Sequence, residues 1–231
     1  MSNIYHIAVI DGKLTYEGDE DKYGIGGSGT ATNLEQLCKV CNFGPNGYCF
    51  QNTIIQYPIF KIPIQKSKPM SFGCYVMRKI EYKTSNDNIS NEYVFPLAAY
   101  MGKYPIFGVV LADSGPICRI GAKVNSTEYS ISDGRPSYYN TWYQLVLTKD
   151  EKDVWRFFVD GNLAGSVTND ASYGTMDLRV NTYPINDAYN YIQDAFAVDY
   201  CIADKNFTWE IKKNLPNYET ESLLFSKLYQ Y

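Results

Sequence analysis

Histidine is nearly missing from this chain. Of 231 residues only His6 is one. A Ser-His-Asp or Cys-His device would have to run through that residue. No nucleophile motif accompanies it, and it falls in the alternating N-terminal run Ile4, His6, Ala8, Ile10 against Tyr5, Ile7, Val9. That alternation predicts a buried strand carrying a satisfied histidine. Metal sites built on several histidines are excluded by count. Clustered basic charge is missing too: 21 Lys and Arg stand against 25 Asp and Glu, for a net charge of −4, and no basic stripe appears. A nucleic-acid footprint is therefore not expected. No apolar run approaches the ~18 residues a membrane span needs. The opening MSNIYHIAVIDGKLTY has neither a basic leader nor an uninterrupted apolar stretch, so it does not read as a secretory signal.

The six cysteines are Cys38, Cys41, Cys49, Cys74, Cys118 and Cys201. Cys38 and Cys41 make a C-x-x-C, and a zinc reading would add Cys49 and Cys74. The second pair has the wrong spacing for any standard finger, so zinc is not expected. A redox reading needs a thioredoxin-like βαβ context, which is missing. Four of the six fall in apolar strand patterns and read as small buried hydrophobes. In the absence of an export signal, disulfides are not the default expectation.

What is present is β-sheet chemistry. Trp142 to Val167, WYQLVLTKDEKDVWRFFVDGNLAGSV, reads as three strands joined by two tight turns. Trp142, Gln144, Val146 and Thr148 alternate with Tyr143, Leu145 and Leu147; the second strand runs Val154 to Val159 and the third Leu163 to Val167. Asp160-Gly161 between them is a hairpin signal, because glycine supplies the positive φ the turn needs. Further strands are expected near 48–57, 70–82, 92–101, 105–112, 116–124, 176–183 and 190–201, separated by polar turns such as Asp113-Ser114-Gly115-Pro116 and Ser132-Asp133-Gly134-Arg135-Pro136. Glu17 to Asn33, acidic and then glycine-rich, lacks the βαβ context of a phosphate cradle and reads as a flexible surface loop. Asn33 to Val40 could form a short helix. Many short strands with polar turns argue a sandwich or jelly roll in one domain over 1–231. Aromatics make up 16% of the chain, with 22 Tyr against 11 Phe. Pattern assigns most tyrosines to half-buried sheet faces and leaves some free to stack on a ligand.

The Trp142–Val167 pattern resembles the laminin-G-like, concanavalin A-like lectin/glucanase family. Tyr191 to Tyr200, YIQDAFAVDY, is similar to the family's penultimate strand, and Asn206 to Lys213 fits the short helix that follows it. Pro69 to Tyr82, PMSFGCYVMRKIEY, resembles an early inner strand. The resemblance covers about 45–215, leaving an N-terminal strand and glycine-rich loop (1–44) and a C-terminal tail (216–231). It implies an all-β, concanavalin A-like jelly-roll sandwich of two antiparallel sheets with a short helix near 207–214. It also implies function by surface recognition, usually of carbohydrate. One fold hosts many activities, so the site must be argued from residues.

The expected function is a non-enzymatic recognition module, carbohydrate-binding and lectin-like, displayed on a phage or other virion or on a cell surface. Abundant Asn, Tyr, Ile and Lys suit an A/T-rich phage or its host. The rivals are a purely structural virion protein, such as a capsid decoration, tail or fibre component, and a glycoside hydrolase. Hydrolysis requires two facing carboxylates. Glu17-Gly18-Asp19-Glu20-Asp21 is a poor match to a glucanase strand, and Glu81 with Glu92 would have to meet across a hairpin. Calcium, frequent in this fold, would use Asp113, Asp133, Asn186 and Asp187, all ordinary turn residues; no cofactor is expected. Asp160 belongs to the hairpin turn and Asp194 to a strand end, positions of fold rather than chemistry. Any ligand site is expected in the loops 113–116, 132–139 and 184–189, with Asp113, Asp133, Arg135, Tyr138, Tyr139, Asp187 and Tyr189 offering carboxylate acceptors, a guanidinium and flat rings. The expected partner is a glycan or host-surface polysaccharide, with other virion proteins or a homo-oligomer as further partners. Trp142 and Trp155 are expected in the core.

Overall fold

The computed structural model describes residues 4–10, 12–18, 23–44, 47–52, 56–79, 93–101, 104–112, 114–121, 130–170, 172–181 and 189–202. The strands are β1 (Ile4–Ile10), β2 (Lys13–Glu17), β3 (Tyr23–Gly26), β4 (Cys38–Gly44), β5 (Gly47–Asn52), β6 (Tyr57–Ile64), β7 (Met70–Lys79), β8 (Tyr93–Met101), β9 (Tyr104–Ala112), β10 (Gly115–Ile120), β11 (Ser130–Ser132), β12 (Trp142–Lys149), β13 (Val154–Val159), β14 (Asn162–Thr168), β15 (Gly174–Val180) and β16 (Tyr189–Val198). One helical turn, α1 (Leu34–Leu37), is capped by the Asn33 side chain, which accepts from the Gln36 amide at 3.0 Å. The helix expected near 207–214 and the tail 216–231 lie outside the described residues.

The strands form two antiparallel sheets. The first runs β14-β13-β12-β7-β16-β1-β2, with the β4–β5 hairpin joined to β16 through β5; the second runs β11-β10-β9-β8-β15-β6-β3. The chain repeatedly crosses between layers, so neighbours such as β12 and β7, or β15 and β6, are distant in sequence. The sheets face each other across one main core. Phe72, Cys74, Val76, Leu145, Leu147 and Phe157 of the first sheet share it with Phe60, Leu97, Phe107, Val109, Leu111 and Leu178 of the second. Period two explains the choice: alternate residues of β7 enter the core, while Tyr75 and Met77 sit in separate clusters on the outer face.

The Asp160-Gly161 turn forms as its residues predict. Val159 pairs with Asn162, and both turn residues have positive φ, 49° and 77°. Trp155 is fully buried and stacks on Phe107 with ring centroids 5.0 Å apart. Trp142 departs from expectation. It is half-buried and packs against the two outer-face clusters rather than between the sheets. Both faces of β12 are buried, so alternation alone does not tell inside from outside.

Five strands were not anticipated, β2 among them. The supposed flexible glycine loop contains β3, whose Tyr23 and Gly26 pair with Phe60 and Tyr57 of β6. β6 itself is disguised by Pro58 and Pro63. Each proline sits where one flank is open: β15 pairs from Ile59 onward, and β3 pairs only as far as Phe60. β4 and β11 are the others. Asp194 lies not at a strand end but at a bulge inside β16, with φ of 52°.

Candidate functional site

The strand registers sort the loops onto two ends of the sandwich. One end, the closed end, carries the turns 65–69 and 150–153 and the residues that flank β14 and β15 there, 169–170 and 172–173. There Lys149 of β12 is fully buried, and its Nζ donates to the carbonyls of Gln65 (2.6 Å) and Lys68 (3.0 Å) while pairing with Asp153 Oδ1 at 2.5 Å. Asp153 Oδ1 also accepts the Ser67 amide at 2.8 Å. The Trp155 indole donates to the Asn169 carbonyl at 3.1 Å, and Asn169 Nδ2 donates to the Ile120 carbonyl at 2.7 Å.

The other end, the loop end, carries the described parts of the three stretches expected to hold a ligand, 114–116, 132–139 and Tyr189. β9 and β10 meet there at Ala112 and Gly115, Ser132 of β11 lies opposite Ile117, and Tyr189 of β16 pairs with Lys79. Gly115 brings two of these loops into contact. Its φ is +123°, and a Cβ there would lie 1.9 Å from the Arg135 carbonyl oxygen, so no side chain fits. The Asp133 amide bonds the Pro116 carbonyl at 3.0 Å and fixes the same approach.

Within this end, Asp133 accepts from Arg135 Nε at 2.5 Å, while the Arg135 side chain stays 59% exposed. The Asp133 hydrogen bond is the main force holding the Arg135 guanidinium in its charged form, with Asp160 and Tyr143 adding to the field. Tyr138 follows with 63% exposure, the largest among the exposed apolar side chains. Its backbone is pinned, because the Tyr138 amide donates to Tyr143 Oη at 2.9 Å. Asp133, Arg135 and Tyr138 thus lie on one loop, whose Tyr143 contact fixes the Tyr138 backbone. The Tyr139 ring lies over the Arg78 guanidinium, 4.6 Å from carbon to centroid. Tyr189 is placed by its backbone alone, and Asp113 and Asp187 lie outside the described residues.

Arg78 is the residue that sequence reasoning missed. It is fully buried, donates to Ser137 Oγ at 2.5 Å, and reaches toward the Ala112 carbonyl, to which the Ser137 hydroxyl also donates. One buried cation thereby ties β7, the end of β9 and the 132–140 loop together. A signal existed: Phe72, Cys74, Val76 and Arg78 follow one period-two register, so a strand reaching residue 78 carries that arginine inward. Asp160 is structural, as expected. Its Oδ1 accepts the Gln144 amide at 2.8 Å, and burial pushes its carboxyl pKa up.

His6 is buried between two carboxylates: Nε2 lies 3.3 Å from Asp194 Oδ1 and Nδ1 lies 3.8 Å from Glu17 Oε2. Burial opposes the charged ring, but the hydrogen bond to Asp194 and the nearby Asp194 and Glu17 carboxylates outweigh it and raise the pKa above the ordinary value. No residue with nucleophilic chemistry contacts the ring in any described bond. Cys49, Cys74 and Cys118 are buried thiols, as their apolar strand patterns predicted; Cys201, in the fourth such pattern, is only half-buried, while Cys38, outside any expected strand, is buried. Among the described residues, no three His, Cys, Asp or Glu side chains converge as a metal site. Of the calcium candidates, Asp133 is committed to Arg135, and Asp113, Asn186 and Asp187 lie outside the described residues, as do Glu81 and Glu92.

A two-sheet antiparallel β-sandwich with a tied end and a loop-bearing end is the class that this architecture defines. Solved structures of that class are similar to it. The binding domain of Paraclostridial Mosquitocidal Protein 1 superposes with a TM-score of 0.64 at 9% identity, covering 91% of this chain and 52% of that one. The receptor-binding domain of botulinum neurotoxin type G gives 0.57 at 16% identity, with 92% and 51% covered. The binding domain of botulinum neurotoxin DC, in complex with SialylT, gives 0.61 at 12% identity, with 92% and 51% covered. The chain therefore spans about half the length of each. At these identities the likeness is one of fold. No protein-family model and no curated protein matches the sequence.

Proposed function

We propose that this chain is a non-enzymatic recognition module that binds carbohydrate through its loop end. The observation that carries the reading is the Tyr138 ring, 63% exposed on a main chain pinned to Tyr143 and three residues along the same loop from Arg135, which is paired with Asp133. A flat ring offers its face to the apolar side of a pyranose, and the exposed Arg135 guanidinium, oriented by Asp133, offers several donors to its hydroxyls. Loops on a rigid sandwich are where binding residues concentrate. Support from fold comes from the similar structures, which are binding domains by name, one of them in complex with SialylT. Display on a virion or another extracellular surface is a further part of the proposal and rests on the sequence reading alone.

Glycan-array binding of the wild-type chain and of the Tyr138→Ala/Arg135→Ala variant tests the site. Both side chains are exposed, so the variant is expected to keep the wild-type Tm and lose glycan binding. Unchanged binding by the folded double variant would remove the site. Silence of the wild-type chain across the array, with self-assembly in solution, would favour a structural role instead.

A further inference from the structure

We propose that Cys41 and Cys49 are a latent cross-strand disulfide, formed when the protein meets an oxidising pool of small disulfides. β4 and β5 pair antiparallel with Cys41 directly opposite Cys49. Directly opposed antiparallel residues have Cα atoms about 4.5–5.5 Å apart, inside the roughly 4.4–6.8 Å that a disulfide spans. Opposed positions place both side chains on one face, and the two do share a single cluster with Met77, Tyr191 and Trp142. The next pair along the hairpin is Gly44 with Gly47, after a register shift. The two cysteines therefore form the last regular pair before the tip.

Exposure divides the labour between them. Cys41 is half-buried and Cys49 fully buried. Cys41 thus meets the oxidant and Cys49 resolves the adduct. The Cys41 thiolate attacks one sulfur of a small disulfide such as oxidised glutathione and expels the first glutathione thiolate. The Cys49 thiolate then attacks Cys41 Sγ and expels the second. The protein loses two protons and two electrons, and the small disulfide gains both as two thiols. The remaining cysteines compete poorly, because across their ladders Cys38 faces Asn52, Cys74 faces Leu145 and Cys118 faces Val109 and Ile131, so none has a thiol opposite it. Burial pushes Cys38 up to about 12, and it pushes Cys74 and Cys118 up as well, so little thiolate forms. Cys201 lies beyond the far end of β16, towards the closed end.

The bridge would fasten a hairpin whose tip exposes Phe43 and Tyr48 and whose Phe43 packs edge-on against Tyr191 at 4.6 Å. Residues 42–48 would be enclosed, a short loop, so the gain is modest.

The test treats the full chain with oxidised glutathione or with a reductant, then alkylates and digests with trypsin. The stretch from Val40 to Lys61 carries both cysteines. The expected result is loss of two hydrogens from this peptide, no alkylation at either cysteine, and a rise in Tm of roughly 5 °C. Cys41→Ser should abolish the mass change and the Tm rise while remaining folded. Alkylation of both cysteines after oxidation would overturn the proposal. So would a stable glutathione adduct on Cys41 with Cys49 still alkylated, or a bridge from either one to another cysteine.

Discussion

At the closed end of the sandwich, polar side chains are consumed by one another; at the loop end, a set of them is left facing outward. Lys149, Asp153, Asn169 and the Trp155 indole tie turns of one sheet to turns of the other, each through bonds of 2.5 to 3.1 Å. Burial alone would raise the Asp153 carboxyl, but Lys149 and the Ser67 amide draw it below its ordinary value. The loop end has ties of its own among the described residues: Arg78 joins Ser137 and the Ala112 carbonyl, and Asn52 Nδ2 donates to the Asn181 carbonyl at 2.5 Å. Beyond these stand Arg135 and Tyr138, whose side chains reach water. The difference is one of work done by similar chemistry. Buried and paired, charges fix the distance between two sheets; exposed and oriented, they remain available to a partner.

The largest effects should come from breaking the closed end. Trp155→Ala removes a fully buried ring stacked on Phe107 and leaves the Asn169 carbonyl short of a donor. The expected cost is about 3–5 kcal/mol, read as a fall in denaturation midpoint, with glycan binding per folded molecule unchanged. Next comes Asp153→Ala, which leaves the Lys149 ammonium buried with two carbonyls and no counter-charge. Losing one member of a buried pair costs about 3 kcal/mol or more. Replacing both, Lys149→Met with Asp153→Ala, should recover part of that loss. A double variant as unstable as Asp153→Ala would show that the carbonyl bonds of Lys149, not the pair, join the sheets.

The loop end should respond in the opposite way. Tyr138→Ala alone is expected to change stability by less than about 0.5 kcal/mol, since the side chain is largely in solvent and its anchoring bond comes from the backbone. Glycan affinity, measured by calorimetry, should fall about tenfold, equivalent to ~1.4 kcal/mol. A large loss of stability with intact affinity would erase the contrast between the two ends.

Much of the architecture was legible in the sequence because the informative signals are local. Asp160-Gly161 and the alternation on either side of it determine β12, β13 and β14 without help from the rest of the chain. Two of the missed strands, β3 and β6, depend on distant partners. Tyr23–Gly26 has almost no strand character of its own and is extended because β6 lies beside it. β6 tolerates two prolines only because its flanks are open at those residues, a fact of three-dimensional pairing. The candidate site divides similarly. Asp133, Arg135 and Tyr138 were readable as loop residues of suitable chemistry. That Tyr139 would turn from them onto Arg78 was not, because the cation reaches it from a strand some sixty residues away.

His6 belongs to neither set of ties, and its titration separates the sheet from both. It pairs with Phe196 near the end of β16, with Asp194 and Glu17 at its two ring nitrogens. Its folded pKa is raised above 6.5. A raised pKa means that the folded state holds the proton more tightly than the unfolded chain, so the contribution is fully present below the unfolded value and is lost as pH rises through the folded value. Stability should therefore fall on raising the pH above about 6.5, by less than either closed-end substitution removes. The chain holds one histidine, so the assignment is unambiguous: His6→Gln, which keeps a polar contact for each carboxylate, should flatten that limb of the profile. A limb that persists in His6→Gln would have to come from another group, and the carboxylates of the closed end fail as candidates, since their pKa values are drawn downward and act at lower pH.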